Sequence, residues 1–76
     1  MIDEDISSNI LSAAIKDLES KEWAAVATIQ LYLKNPVAIA DHGEIITEIT
    51  KWAKIGAEAR DSKQFLLDKF TEDSSK

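Results

Sequence analysis

Leu18-Glu19-Ser20-Lys21-Glu22-Trp23 is the stretch on which the reading of the fold turns. Upstream of it, Ile6, Ile10, Leu11, Ala14, Ile15 and Leu18 recur at spacings of three and four. That spacing lays one apolar face along a helix. Ser8, Asn9, Ser12, Lys16 and Glu19 fill the other side. Downstream, an apolar run from Trp23 to Leu33 is interrupted only by Thr28 and Gln30. A serine side-chain oxygen accepts the free amide hydrogens of a helix's first turn. Read as such a cap, Ser20 ends a first helix over about residues 3–19 and opens a second over 21–34.

The second helix carries two stripes. Val26, Ile29 and Leu33 form one, and Trp23, Ala27 and Leu31 form another on a different side. A helix that is apolar nearly all round is covered on more than one face. It is therefore expected to be the central helix of the bundle or part of an oligomer interface, with Leu33 buried.

Asn35-Pro36 is the clearest breaker, because proline disfavours helical backbone at the residue before it and has no amide hydrogen to donate. Residues 37–40 fit one helical turn or an extended segment equally well. Asp41-His42-Gly43-Glu44 reads as a capping box, with Asp41 as cap and Glu44 reaching back. A third helix follows to about Arg60, with Ile45, Ile49, Trp52, Ala53 and Gly56 on one face and Thr47, Lys51, Lys54 and Glu58 opposite. Ile49 is expected in the core. If that helix continued, Arg60 and Lys63 would enter the apolar stripe and Phe65 would point away from it. Asp61-Ser62 is therefore read as a break, with Ser62 capping a short fourth helix that carries Phe65, Leu66, Leu67 and Phe70.

The sequence thus predicts an all-α fold: a small helical bundle of three main helices plus a short C-terminal helix. Residues 1–71 form a single domain and 72–76 a polar, frayed tail. Composition agrees with helix, since 76 residues contain two glycines and one proline. The core is expected to be thin, because hydrophobic residues make up 45% of the chain and ten of them are alanine.

Much chemistry is excluded. No cysteine means no disulfide framework and no thiolate-ligated metal. Fourteen acidic against nine basic residues give a net charge of −5, which disfavours general nucleic-acid binding. The acidic start Ile2-Asp3-Glu4-Asp5 is unlike a signal peptide, and no apolar run is long enough to span a membrane, so a cytoplasmic chain is expected. Asp3, Asp5, Ser7 and Asn9 mimic the alternation of a calcium loop, but Ser8 stands where the turn glycine belongs and Ala14 where the bidentate glutamate belongs. A di-iron bundle needs a Glu-x-x-His motif on each of two helices, and there is one histidine. His42 reads as a helix-start residue dispensable for function. Glu44 and Glu48, four apart, read as a solvated face. Lys51, Lys54, Arg60, Lys63 and Lys69 are interleaved with acids and lack an aromatic stacking platform. No catalytic, cofactor-binding or metal-ligating residue is assigned, no cofactor is expected, and the chain is read as a non-enzyme.

What remains is surface. Trp23, Leu31, Trp52, Ala53, Gly56, Phe65 and Phe70 are the candidate interface residues. The tryptophans suit interface anchors, and the small residues from Ala53 to Ala59 permit close helix approach. The functional expectation is a non-enzymatic protein–protein interaction module, self-associating as a homo-oligomer with a dimer favoured, with no membrane binding and no general nucleic-acid binding. The alternative is a small acidic inhibitor or adaptor, of the kind bacteria and phages encode, that binds a basic surface of a larger enzyme as a nucleic-acid mimic.

Overall fold

The computed structural model describes residues 2–35 and 42–71, with side chains described from Ser7 to Asn35 and from Gly43 to Thr71. Two long helices make up the fold: α1, Ile2–Lys34, and α2, His42–Phe70. They pack against each other as an antiparallel hairpin, with Glu19 opposite Lys63 and Tyr32 opposite Glu48. The fold is all-α among the described residues, but it is not three main helices plus a short fourth. The alternatives for residues 37–40, the Asp41 cap and the 72–76 tail lie outside the described residues.

Ser20 does not end a helix. It is an exposed residue inside α1. The reason lies in spacing that runs straight through it. Leu11, Ile15, Leu18, Glu22, Ala25, Ile29 and Tyr32 alternate steps of four and three, and all are shielded to some degree. Such a repeat keeps one face of a helix against a single partner helix over its whole length. An interior serine costs a helix only a few tenths of a kcal/mol, roughly 0.5 relative to alanine. The Asp17–Lys21 ion pair, at 2.9 Å and four residues apart, bridges the same turn. α1 does end where proline demands it: the amide of Asn35 donates to the Leu31 carbonyl at 2.9 Å, and Pro36 follows.

Asp61-Ser62 is not a break either. Ile45, Ile49, Trp52, Gly56, Ala59, Lys63 and Leu66 continue the same steps along α2. Lys63 does enter the stripe, and Glu19 receives it: Lys63 Nζ lies 3.3 Å from Glu19 Oε2, with the lysine side chain 24% exposed. An opposing anion makes a cation at the seam tolerable. Phe65 does point away, and it is exposed.

The molecule measures 55 × 23 × 14 Å. A helix with side chains is about 10–12 Å across, so the molecule is a slab one helix thick. Such a slab has no interior. Among the described residues only Ala25, at 1%, and Ala59, at 6% exposure, are buried. Here the helices come closest: a Cβ built on Gly56 would sit 3.0 Å from the Cβ of Ala25. Leu33, expected in the core, is 65% exposed, because Tyr32 takes the seam position at that level and Leu33 falls beside it. Ile49 is half-buried. Ile10 and Ala14, expected on the apolar face, are exposed beside Leu11 and Ile15.

Two substitutions test this architecture by urea denaturation. Ser20→Ala should be neutral or stabilising by about 0.5 kcal/mol, whereas loss of a genuine cap costs about 1 kcal/mol. Gly56→Leu should destabilise by about 1–3 kcal/mol, because it forces the helices apart at their closest approach.

Candidate interaction surface

The candidate interface residues do not form one patch. Trp52, Ala53 and Gly56 come together with Val26 and Ile29 along a groove between the helices on one broad face of the slab. Trp52 and Gly56 belong to the seam, while Ala53 stands exposed at its flank. Trp23 and Leu31 lie on α1 away from this groove, 66% and 56% exposed. With the exposed Ala27 between them they form the second stripe seen in the sequence, and α2 does not cover it. Phe65 and Phe70 lie near the C-terminal end of α2, in edge-to-face contact with centroids 6.5 Å apart.

Sequence reasoning passed over Ile46 as an exposed apolar residue and placed Leu33 inside. The groove relates both to one face. Val26 and Ala53 line it, and Leu33 and Ile46 lie seven residues from them along their respective helices. Seven residues are nearly two full turns, so each returns to the same side of its helix. The signal was in the sequence, but it has meaning only once both helices are continuous.

The opposite broad face differs in character. Its depression is lined by Leu18, Lys21, Ile55, Glu58, Ala59 and Ser62. Lys21, Glu58 and Ser62 make up half of its lining, whereas in the first groove Glu22 and Arg60 are two residues of nine.

A polar cluster sits towards the loop end. Tyr32 Oη donates to Glu48 Oε1 at 3.4 Å, and Lys51 Nζ lies 3.2 Å from the same oxygen and 3.4 Å from Oε2. Glu48 is thus partly shielded and partnered, not merely a solvated carboxylate. The Lys51 ammonium holds its pKa below the ordinary glutamate value through hydrogen bond and charge, against an opposing push from burial. The Trp52 and Tyr32 donors act in the same direction as Lys51. The Trp52 indole N–H is nevertheless buried without a partner at hydrogen-bond geometry. Lys51 Nζ lies 5.4 Å from the Trp52 ring centroid. The cluster has the makings of a clasp across the helices. Its carboxylate is turned to Tyr32 and Lys51, and Glu44 lines an open depression beside it with Gly43 and Thr47.

Among the described residues no three of His, Cys, Asp and Glu gather to hold a metal ion. No helix among them is long and apolar enough to cross a membrane. His42 is the first residue of α2, and its side chain lies outside the described set. Comparison with protein-family models, with curated proteins and with solved structures finds no match.

The two tryptophans give a direct check of this geometry. Trp52 alone, in Trp23→Phe, should emit at shorter wavelength and be quenched less by iodide than Trp23 alone, in Trp52→Phe. Equal spectra would contradict the burial described.

Glu48 gives a second. Its folded pKa is lowered, so its contribution to stability is present above the ordinary glutamate range. That contribution is lost as pH falls through the lowered value. The gap in urea midpoint between neutral pH and about pH 3 should therefore be smaller in Glu48→Gln than in the wild type.

Proposed function

We propose that this chain is a non-enzymatic protein–protein interaction module that self-associates through helix surfaces, as a symmetric dimer. The observation that supports the reading is surface in excess. The folded chain exposes 5932 Å². A compact monomer of 8.4 kDa exposes about 4,600 Å² by the scaling of folded proteins. The excess is therefore on the order of 1,300 Å² per chain, against roughly 800 Å² that each partner contributes to a standard interface. Ile10, Trp23, Leu31, Leu33, Ile46, Phe65 and Phe70 are all more than half exposed, so the excess is not merely polar. A pair of copies gives both the second layer that a one-helix slab lacks.

The reading of an acidic mimic has less support. Acids on this surface are met by cations: Asp17 by Lys21, Glu48 by Lys51, and more loosely Asp61 by Arg60. A mimic of a phosphate backbone needs rows of unneutralised acids.

Sedimentation from low micromolar concentration upward should give twice the chain mass, with little change between low and high salt. A monomer throughout, with an intact cooperative unfolding transition, would sink the proposal. Binding to a basic partner that weakens steeply with salt would favour the acidic mimic instead.

A further inference from the structure

Self-association leaves open which surface pairs and how, and the two broad faces of the slab are not equivalent. We infer that a second copy of this chain stacks on the groove lined by Val26, Ile29, Trp52 and Ala53, with its α2 lying over the first copy's α1. The result is an all-antiparallel four-helix bundle. This inference rests on the self-association proposed above.

Three observations lead to it. The first is area. A broad face of the slab is 55 by 23 Å, so even partial overlap reaches the roughly 800 Å² per partner of a stable interface. The narrow edges, 14 Å thick, offer about three-fifths of a broad face's area and would need nearly full overlap to reach the same interface. The edge that carries Trp23 and Leu31 is one of these.

The second is chemistry. The groove is lined by apolar residues except for Glu22 and Arg60, and its face extends through Leu33 and Ile46, both about two-thirds exposed. The other face would press Lys21 and Glu58 into the contact. Half of that lining is charged or hydroxyl-bearing, against two residues of nine in the groove, so pairing there would desolvate more polar surface for less apolar contact.

The third is charge complementarity. Glu22 of α1 and Arg60 of α2 both line the groove, at one level and on opposite walls. If the second copy is related by a two-fold axis parallel to the helices, its Arg60 faces the first copy's Glu22, and the reverse pair forms symmetrically. Turning it end over end about the same level sets Glu22 against Glu22 and Arg60 against Arg60. Like charges in contact disfavour that arrangement. The same axis keeps every neighbouring helix pair antiparallel, and it seats Ala53 and Ala57 under the opposing α1, where small side chains allow close approach.

Sedimentation of the full chain and its variants tests this, with circular dichroism confirming that each variant stays helical. Ala53→Glu, on the groove face, should weaken dimerisation at least about tenfold. Ser62→Glu, on the other face, and Trp23→Glu, on the edge, should leave it unchanged. Charge reversal adds a readout that does not depend on packing at Ala53. Glu22→Arg and Arg60→Glu should each self-associate weakly, and their equimolar mixture should associate about tenfold more tightly than either alone. A wild-type monomer would overturn both the self-association and this inference. A wild-type dimer that survives Ala53→Glu, or dissociates with Ser62→Glu or Trp23→Glu, leaves self-association standing and overturns the choice of face. A mixture no tighter than its components overturns the charge pairing. A double variant Glu22→Arg/Arg60→Glu that dimerises no more tightly than the single variants overturns the inferred orientation, because only that orientation regenerates both pairs.

Discussion

Two methyl groups and a missing side chain set the geometry of this molecule. Ala25 and Gly56 meet across the seam, where a Cβ on Gly56 would already crowd the Ala25 methyl, and Ala59 is buried one turn further along α2. Close approach fixes the two helices as one body through many short dispersion contacts. It also limits what they can gain, because alanine and glycine remove little apolar area from water. The larger side chains at the seam, Trp52, Val26 and Ile29, are displaced to the walls of a groove and stay only half covered. Most helical stability in proteins comes from burying an apolar face, not from propensity. Here that burial is incomplete by construction. The 14 Å thickness and the exposed leucines, isoleucines and phenylalanines go with a fold in which each helix has only one partner.

The clasp at the loop end and the ion pair towards the other end complement that contact. Tyr32 to Glu48 and Lys63 to Glu19 each join α1 to α2, on either side of the Ala25–Gly56 approach. Neither pair is deeply buried, so neither adds much to stability. Their value is in register. Sliding one helix by a turn would leave Lys63 without its anion in an apolar stripe, where an unpaired charge is costly. The alanines permit closeness but say little about alignment. The polar pairs supply it.

Helix content and apolar faces were legible in the sequence, but the punctuation was not. Asn35-Pro36 ends α1 as read, because a missing amide hydrogen and a steric clash leave the chain no choice. Ser20 and Ser62 were read as caps because serine can cap. A serine that can cap is equally at home on an exposed helix surface, and the spacing of four and three through each decides between the two. That spacing was obscured because Glu22 and Lys63 occupy apolar positions in it. A charged residue at a seam looks like the end of a stripe unless its partner on the other helix is known. The surface suffered in turn. Trp23 and Leu31 were recognised as a separate stripe, and they are. Leu33 was assigned inside because Val26 and Ile29 share its side of α1. That side is the open groove face of a two-helix slab, where a further helix would have to lie for Leu33 to be covered.

A slab with one apolar and one mixed face constrains what self-association can build. If both faces were apolar, copies could stack without limit, since each new copy would present the same surface as the last. In the proposed assembly Lys21, Glu58 and Ser62 lie on the outer side, where they would disfavour a third copy. The proposed assembly is then closed, because pairing the same face of both copies leaves none of it free. Trp23, Ala27 and Leu31 remain on the rim of such a bundle, in a row on α1. Isolated exposed apolar side chains are ordinary on protein surfaces. The difference between that row and the groove is depth, not polarity. The row is a ridge on a convex helix. The groove is a concavity between two helices, and a helix from another copy seated there would contact both at once, whereas on the ridge it would contact one.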